Sequence, residues 1–122
     1  MRAGAIRALI VEDEPAIAEA LAFLCEREGI ETKVISNGAA AMPLLAQYDI
    51  LILDIMLPGA SGFEVAQAAR AVDPVPKICV LTAKGQPADK ARMTAIGVDA
   101  FVTKPFSNRA LMDTIRALIQ PA

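Results

Sequence analysis

The stretch that decides the fold is Ile50-Leu51-Ile52-Leu53-Asp54-Ile55-Met56-Leu57-Pro58-Gly59. Four consecutive branched apolar residues leave no polar face, so Ile50 to Leu53 reads as a strand buried on both sides. Asp54 then stands at the lip of that strand. Charging a carboxylate there costs desolvation unless cations or hydrogen-bond donors face it. Other apolar runs end in groups of the right kind. Ala8-Leu9-Ile10-Val11 ends in Glu12-Asp13, Ile78-Cys79-Val80-Leu81 in Thr82, and Ala100-Phe101-Val102-Thr103 in Lys104. If these strands are parallel, acids, hydroxyl and ammonium all meet at one edge of the sheet.

The segments between the strands read as helices. Pro15 suits a first helical turn, and the acids before it suit the positive end of the helix dipole. Ile17, Leu21 and Leu24 then repeat at helical spacing up to Gly29, a C-terminal stop. Glu31 to Ile35 alternates polar and apolar residues, as an edge strand does. Asn37 caps a short helix expected to run to about Gln47, with Pro43 kinking or shortening it. Ser61-Gly62-Phe63-Glu64 has capping-box spacing and opens a third helix that points Val65, Ala66 and Ala69 inward. Lys84-Gly85-Gln86 is a polar loop before an Ala-rich helix from Pro87 to Ile96, which buries little. Ser107-Asn108 opens a last helix with Leu111, Met112, Ile115, Leu118 and Ile119 on one face.

Five short buried strands alternating with five helices define an α/β fold: a single, doubly wound, five-stranded parallel sheet covered on both sides. Ligands of such sheets bind beyond the carboxyl ends of the strands. Those ends carry Glu12, Asp13, Asp54, Thr82 and Lys104. The length of 122 residues fits one domain spanning 1–122.

Composition narrows the chemistry. Histidine is absent, which excludes Ser-His-Asp and Cys-His machinery and imidazole metal ligands. The net charge of -2, with no block of Lys and Arg, gives no basic face for nucleic acid. Cys25 and Cys79 sit inside apolar patterns and read as reduced core thiols. No signal peptide fits the start and no apolar run approaches a membrane span, so the expected location is cytoplasmic.

Three carboxylates at one site repel each other, and oxygen-only ligands favour a hard divalent cation such as Mg2+. One Lys and one hydroxyl suit a small dianion such as a phosphoryl group. A carboxylate beside them can act as a nucleophile and become an acyl phosphate. The residues therefore read as a Mg2+-dependent phosphoryl acceptor.

The motifs Leu9-Ile10-Val11-Glu12-Asp13-Glu14, Leu53-Asp54-Ile55-Met56-Leu57-Pro58-Gly59 with Gly62, Leu81-Thr82-Ala83 and Lys104-Pro105-Phe106 stand in that order. With them the chain resembles, over essentially its whole length, the CheY-like receiver domain of bacterial two-component response regulators. Its Thr82–Gly85 and Phe101–Ser107 segments are most similar to the OmpR/PhoB class. The resemblance implies a flavodoxin-like (βα)5 fold and a phosphorylation-driven switch. It implies that Asp54 accepts a phosphoryl group from a phosphohistidine on a sensor histidine kinase or histidine phosphotransfer protein. Glu12, Asp13, Asp54 and the backbone carbonyl of Met56 would hold Mg2+. Thr82 and Lys104 would contact the phosphoryl oxygens, and Thr82 and Phe101 would relay the change. It further implies a cis Lys104-Pro105 bond and an output face on the fourth helix, fifth strand and fifth helix. That face would serve an output partner or domain, with the receiver a monomer or a phosphorylation-linked homodimer. Of the class's dimer charges, Lys90 and Asp99 match, while Ala95, Ala100 and Thr114 replace two acids and a base. Glu12 stands where the family more often has Asp, and Phe101 where it often has Tyr. Met56 and Lys84, expected to border the path of hydrolytic water, cannot activate it, so slow self-dephosphorylation is expected.

Two enzyme-like or cofactor-binding alternatives fare worse. A haloacid-dehalogenase-like phosphatase needs a second Asp two places after the nucleophile, where Met56 stands. A flavodoxin-like cofactor binder needs a phosphate-cradling loop after the first strand, where Glu12-Asp13-Glu14 would repel phosphate. A degenerate receiver that only binds proteins would not need so complete a set of polar groups.

Overall fold

The computed structural model describes residues 5–83 and 87–120. Its strands are β1 (Arg7–Val11), β2 (Glu31–Ile35), β3 (Ile50–Asp54), β4 (Lys77–Ala83) and β5 (Ala100–Lys104). The helices are α1 (Pro15–Arg27), α2 (Gly38–Ala41), α3 (Gly62–Arg70), α4 (Pro87–Ile96) and α5 (Asn108–Ile119). All strand pairs are parallel, in the order β2-β1-β3-β4-β5. The sheet and five helices are those the sequence pattern predicts.

The period of two along each strand divides the core into two layers. Ala8, Ile10, Ile50, Ile52, Cys79 and Leu81 face one side, where Leu21, Leu24 and Cys25 of α1 meet Leu111, Met112 and Ile115 of α5. Leu9, Val11, Leu51, Leu53, Ile78 and Val80 face the other, under α2, α3 and Met93 of α4. Every residue of β3 is buried, as its unbroken apolar run requires. β2 lies at an edge and is mostly exposed or half-buried, in keeping with its alternation. Cys25 and Cys79 are free, buried thiols, which burial pushes up to about 11 and about 12 respectively.

One helix differs from expectation. The segment capped by Asn37 is α-helical only to Ala41, and Met42–Gln47 continues as a 3-10 helix. Pro43 sits at its start and brings no N–H to an α-helical ladder. β4 runs one residue past Thr82, to Ala83. Among the residues of α4 only Met93 is buried, so this helix is held by little apolar contact. On the opposite face, Arg116 of α5 clasps Glu28 at the end of α1 through two bonds, Nε to Oε1 at 2.9 Å and Nη2 to Oε2 at 2.8 Å. Lys84, Gly85 and Gln86 lie outside the described residues, and with them the expectation that Lys84 borders the water path.

Candidate functional site

The strand register brings the polar ends level. Val11 pairs with Leu53, Asp54 with Leu81, and Ala83 with Lys104. Glu12 and Asp13 follow β1 directly, so they and Asp54 lie where the connections from the sheet diverge. Such a switch point is where parallel sheets bind ligands.

The chain just after Asp54 is tightly fixed. Gly62 N–H donates to the Ile55 carbonyl at 2.8 Å, and a Cβ at Gly62 would collide with the Asp54 carbonyl oxygen. Ser61 caps α3 through a reciprocal pair of bonds with Glu64, the capping box foreseen from spacing. The Asp54 carboxylate, mostly buried, accepts the Ile55 N–H on Oδ1 at 2.8 Å. Its Oδ2 stands 3.2 Å from Lys104 Nζ.

Glu12 is the more deeply placed acid, only 1% exposed. Its Oε2 accepts the Glu14 N–H at 3.2 Å. Its Oε1 lies 3.1 Å from Lys104 Nζ, yet it is a buried oxygen without a hydrogen bond. Lys104 thus provides an ionic neighbour off the line of a good bond. Burial raises the Glu12 pKa most, and the Asp54 charge adds to that; the Glu14 N–H and Lys104 act in the opposite direction. For Lys104, burial is the largest single influence and lowers the pKa. Glu12 and Asp54 together overcome it, so the ammonium is held above its ordinary value. One cation is shared between two buried carboxylates.

Carboxylate oxygens of Glu12, Asp13 and Asp54 all lie within 4.8 Å of one another. Oxygen donors, an excess of negative charge and the unbonded Glu12 Oε1 fit a hard divalent cation such as Mg2+. Beside them opens a cavity of about 470 Å³ lined by Glu14, Asp54, Ile55, Met56, Leu81, Ala83, Asp89 and Lys104. Met56 stands at its mouth with its residue surface 78% exposed.

Thr82 is buried between Leu81 and Ala83, the two β4 residues that line the cavity. The register puts Thr82 opposite Thr103 and Val80 opposite Phe101, so Thr82 and Phe101 share the sheet face beneath α4. Phe101 is half-buried against that core, and Lys90 Nζ of α4 lies 5.5 Å from its ring centroid. Asp99 accepts the Ile78 N–H on Oδ2 at 2.8 Å. Both charges that match the class dimer pattern therefore have contacts within the chain. The Lys104-Pro105 bond is cis, as is Asp73-Pro74.

The sequence-derived site residues that the structure describes assemble at or near this edge: Glu12, Asp13, Asp54 and Lys104 as one cluster, Met56 at the mouth, Thr82 and Phe101 on the α4 side. Sequence reasoning missed Asp89, an acid in the first turn of α4 that lines the cavity. The available signal was its place one turn into the helix that follows the Thr82 strand.

Residues 8–116 match the family model described as response regulator receiver domain. The sensory transduction protein RegX3 of Mycobacterium tuberculosis is 46% identical over 114 residues, covering 92% of this chain and 50% of that protein. The chain thus spans about half the length of the curated relatives it matches. Among solved structures, a putative response regulator from Chloroflexus aurantiacus superposes with a TM-score of 0.89 at 26% identity, covering 96% of this chain and 99% of that one. The receiver domain of a sensor histidine kinase from Pseudomonas aeruginosa, with a magnesium ion coordinated in its active site cleft, gives 0.86 at 22% identity, covering 97% and 100%.

Proposed function

Because the chain belongs to the response regulator receiver domain family, with relatives of the OmpR/PhoB type, we propose that Asp54 accepts a phosphoryl group from a phosphohistidine on a histidine kinase or histidine phosphotransfer protein. The observation that carries this reading is the Asp54 carboxylate, fixed at the cavity wall with one oxygen 3.2 Å from Lys104 Nζ. Ile55 N–H holds Oδ1, which orients the carboxylate. An Asp54 oxygen attacks phosphorus, the bond from phosphorus to the donor imidazole breaks, and an acyl phosphate forms. Lys104 then offers its ammonium to the phosphoryl oxygens as it does now to the carboxylates.

Glu12, Asp13, Asp54 and the Met56 backbone carbonyl would hold Mg2+, which would neutralise charge on the incoming phosphoryl group. The magnesium ion in the Pseudomonas receiver domain and the acidic cluster here support that assignment. Thr82 turns toward the phosphoryl group and Phe101 moves inward, shifting an existing equilibrium of α4, β5 and α5. The sharing of one sheet face by Thr82 and Phe101 supports this route. Met56 has no group that could orient water, so the phosphorylated form decays slowly.

In this reading residues 1–122 act as one signalling domain, not as a turnover enzyme, and pass the state to an output partner or domain. The receiver works as a monomer or as a homodimer through α4, β5 and α5. No helix among the described residues is long and apolar enough to cross a membrane. Exchange with a kinase phosphohistidine assigns the chain to the cytoplasm.

The test is direct. Acetyl phosphate should load one phosphoryl group in the presence of Mg2+ and none after its removal by EDTA. Loading that is indifferent to EDTA would contradict the metal assignment.

A further inference from the structure

The cavity beside Asp54 is walled by two acids that the phosphoacceptor reading leaves without work, Glu14 and Asp89. They come from different elements. Glu14 precedes α1 and Asp89 lies in the first turn of α4. Asp89 is half-buried, and among the described residues its side chain has no hydrogen-bond or ion-pair partner. A first-turn acid favours its own helix dipole. That role alone does not distinguish a position open to solvent from one on the wall of a cavity, and Asp89 is on the wall. A phosphoryl donor that enters this cavity meets a wall that carries this carboxylate.

We infer that Asp89 is a charge gate, a specificity-determining residue that disfavours small, doubly negative phosphodonors. Kinase-bound phosphohistidine is less affected, because protein docking contacts offset the repulsion. The inference rests on Asp54 being the phosphoacceptor. Glu14 adds to the same rim, but it adjoins Asp13 and its N–H binds Glu12, so altering it would disturb the proposed metal ligands. Asp89 is the clean probe.

Two donors separate charge from chemistry. Acetyl phosphate is a dianion near neutral pH. Its phosphorus–oxygen bond to acetyl breaks as the bond to Asp54 forms, and acetate leaves. Phosphoramidate carries a protonated nitrogen and so one less net negative charge. Its phosphorus–nitrogen bond breaks and ammonia leaves.

The experiment follows the phosphoryl mass adduct with time, with Mg2+ present, for each donor at low and high salt. At low salt Asp89→Asn should raise the acetyl phosphate to phosphoramidate rate ratio by about threefold, the order expected for one unit charge on the wall of a watery cavity. Asp89→Glu should keep the wild-type ratio. Added salt should raise the wild-type ratio and leave that of Asp89→Asn nearly flat. A ratio unmoved by Asp89→Asn, or both rates changed by the same factor, would overturn the gate, since a looser α4 would not discriminate between donors. If neither the wild type nor Asp89→Asn loads from either donor, the phosphoacceptor reading fails and takes the gate with it. If both load and only the ratio stays fixed, the gate alone fails.

Discussion

Lys104 Nζ stands 3.2 Å from Asp54 Oδ2, which ties the end of β5 to the end of β3 across the intervening β4. Neighbouring strands lie about 4.8 Å apart, so this span takes a long, flexible side chain. The same ammonium reaches Glu12 beyond β1. A single cation thus ties three strand ends together and faces two buried carboxylates.

Removing that cation leaves the carboxylates facing each other. Lys104→Met should lower stability by about 1–3 kcal/mol in metal-free buffer, because a mostly buried polar group left without its partner is costly. Mg2+ should recover part of the loss by acting as the counter-charge. Urea unfolding with EDTA and with Mg2+ measures both effects. Equal midpoints for wild type and variant without metal would show that Lys104 does not compensate the pair.

The Glu28–Arg116 clasp gives a pH dependence of known sign. The Arg116 hydrogen bonds hold the Glu28 carboxyl below its ordinary value of 4.5. A lowered carboxyl stabilises the fold above its unfolded pKa, and that contribution disappears as pH falls through the folded value. The gap in melting temperature between wild type and Arg116→Met should therefore be present near pH 7 and shrink below the 4.5 reference. The clasp is on the exposed flank, so the gap is small and falls with salt. A gap that is constant across this range would assign the loss to packing of the Arg116 stem.

Loading the site should loosen or reorder the side of the molecule beneath α4. α4 has little to hold it beyond Met93, and Thr82 and Phe101 share the face that it covers. Beryllium fluoride with Mg2+, a mimic of the phosphoryl group, should change amide exchange in α4, β5 and the start of α5. Phe101→Ala should uncouple that response while leaving Asp54 able to load. Exchange changes confined to α1 and α2 would place the relay elsewhere.

The strands were legible because burial on both faces demands unbroken apolar runs, which have no competing interpretation in β1, β3 and β4. The caps at Asn37, Ser61 and Ser107 were legible because their side chains bond locally. The change to a 3-10 helix after Ala41 was less so. Pro43 announces a disruption, but how the chain continues depends on packing of Leu45 and Tyr48 against the sheet. At the site, strand-end positions announced Glu12, Asp13, Asp54 and Lys104. The sharing of Lys104 between two acids is a matter of side-chain reach, which spacing does not encode. Asp89 was hidden because an acid in a first helical turn has an ordinary local reason to be there.

The central claim is that Asp54 is the nucleophile. Wild type and Asp54→Asn should be incubated with acetyl phosphate and Mg2+, and the adduct mapped by peptide mass under mild conditions. The expected result is one phosphoryl group on the wild-type peptide containing Asp54, lost in mild base as an acyl phosphate is, and none on a folded Asp54→Asn protein. A Mg2+-dependent phosphoryl group gained by Asp54→Asn at the wild-type rate would contradict the claim.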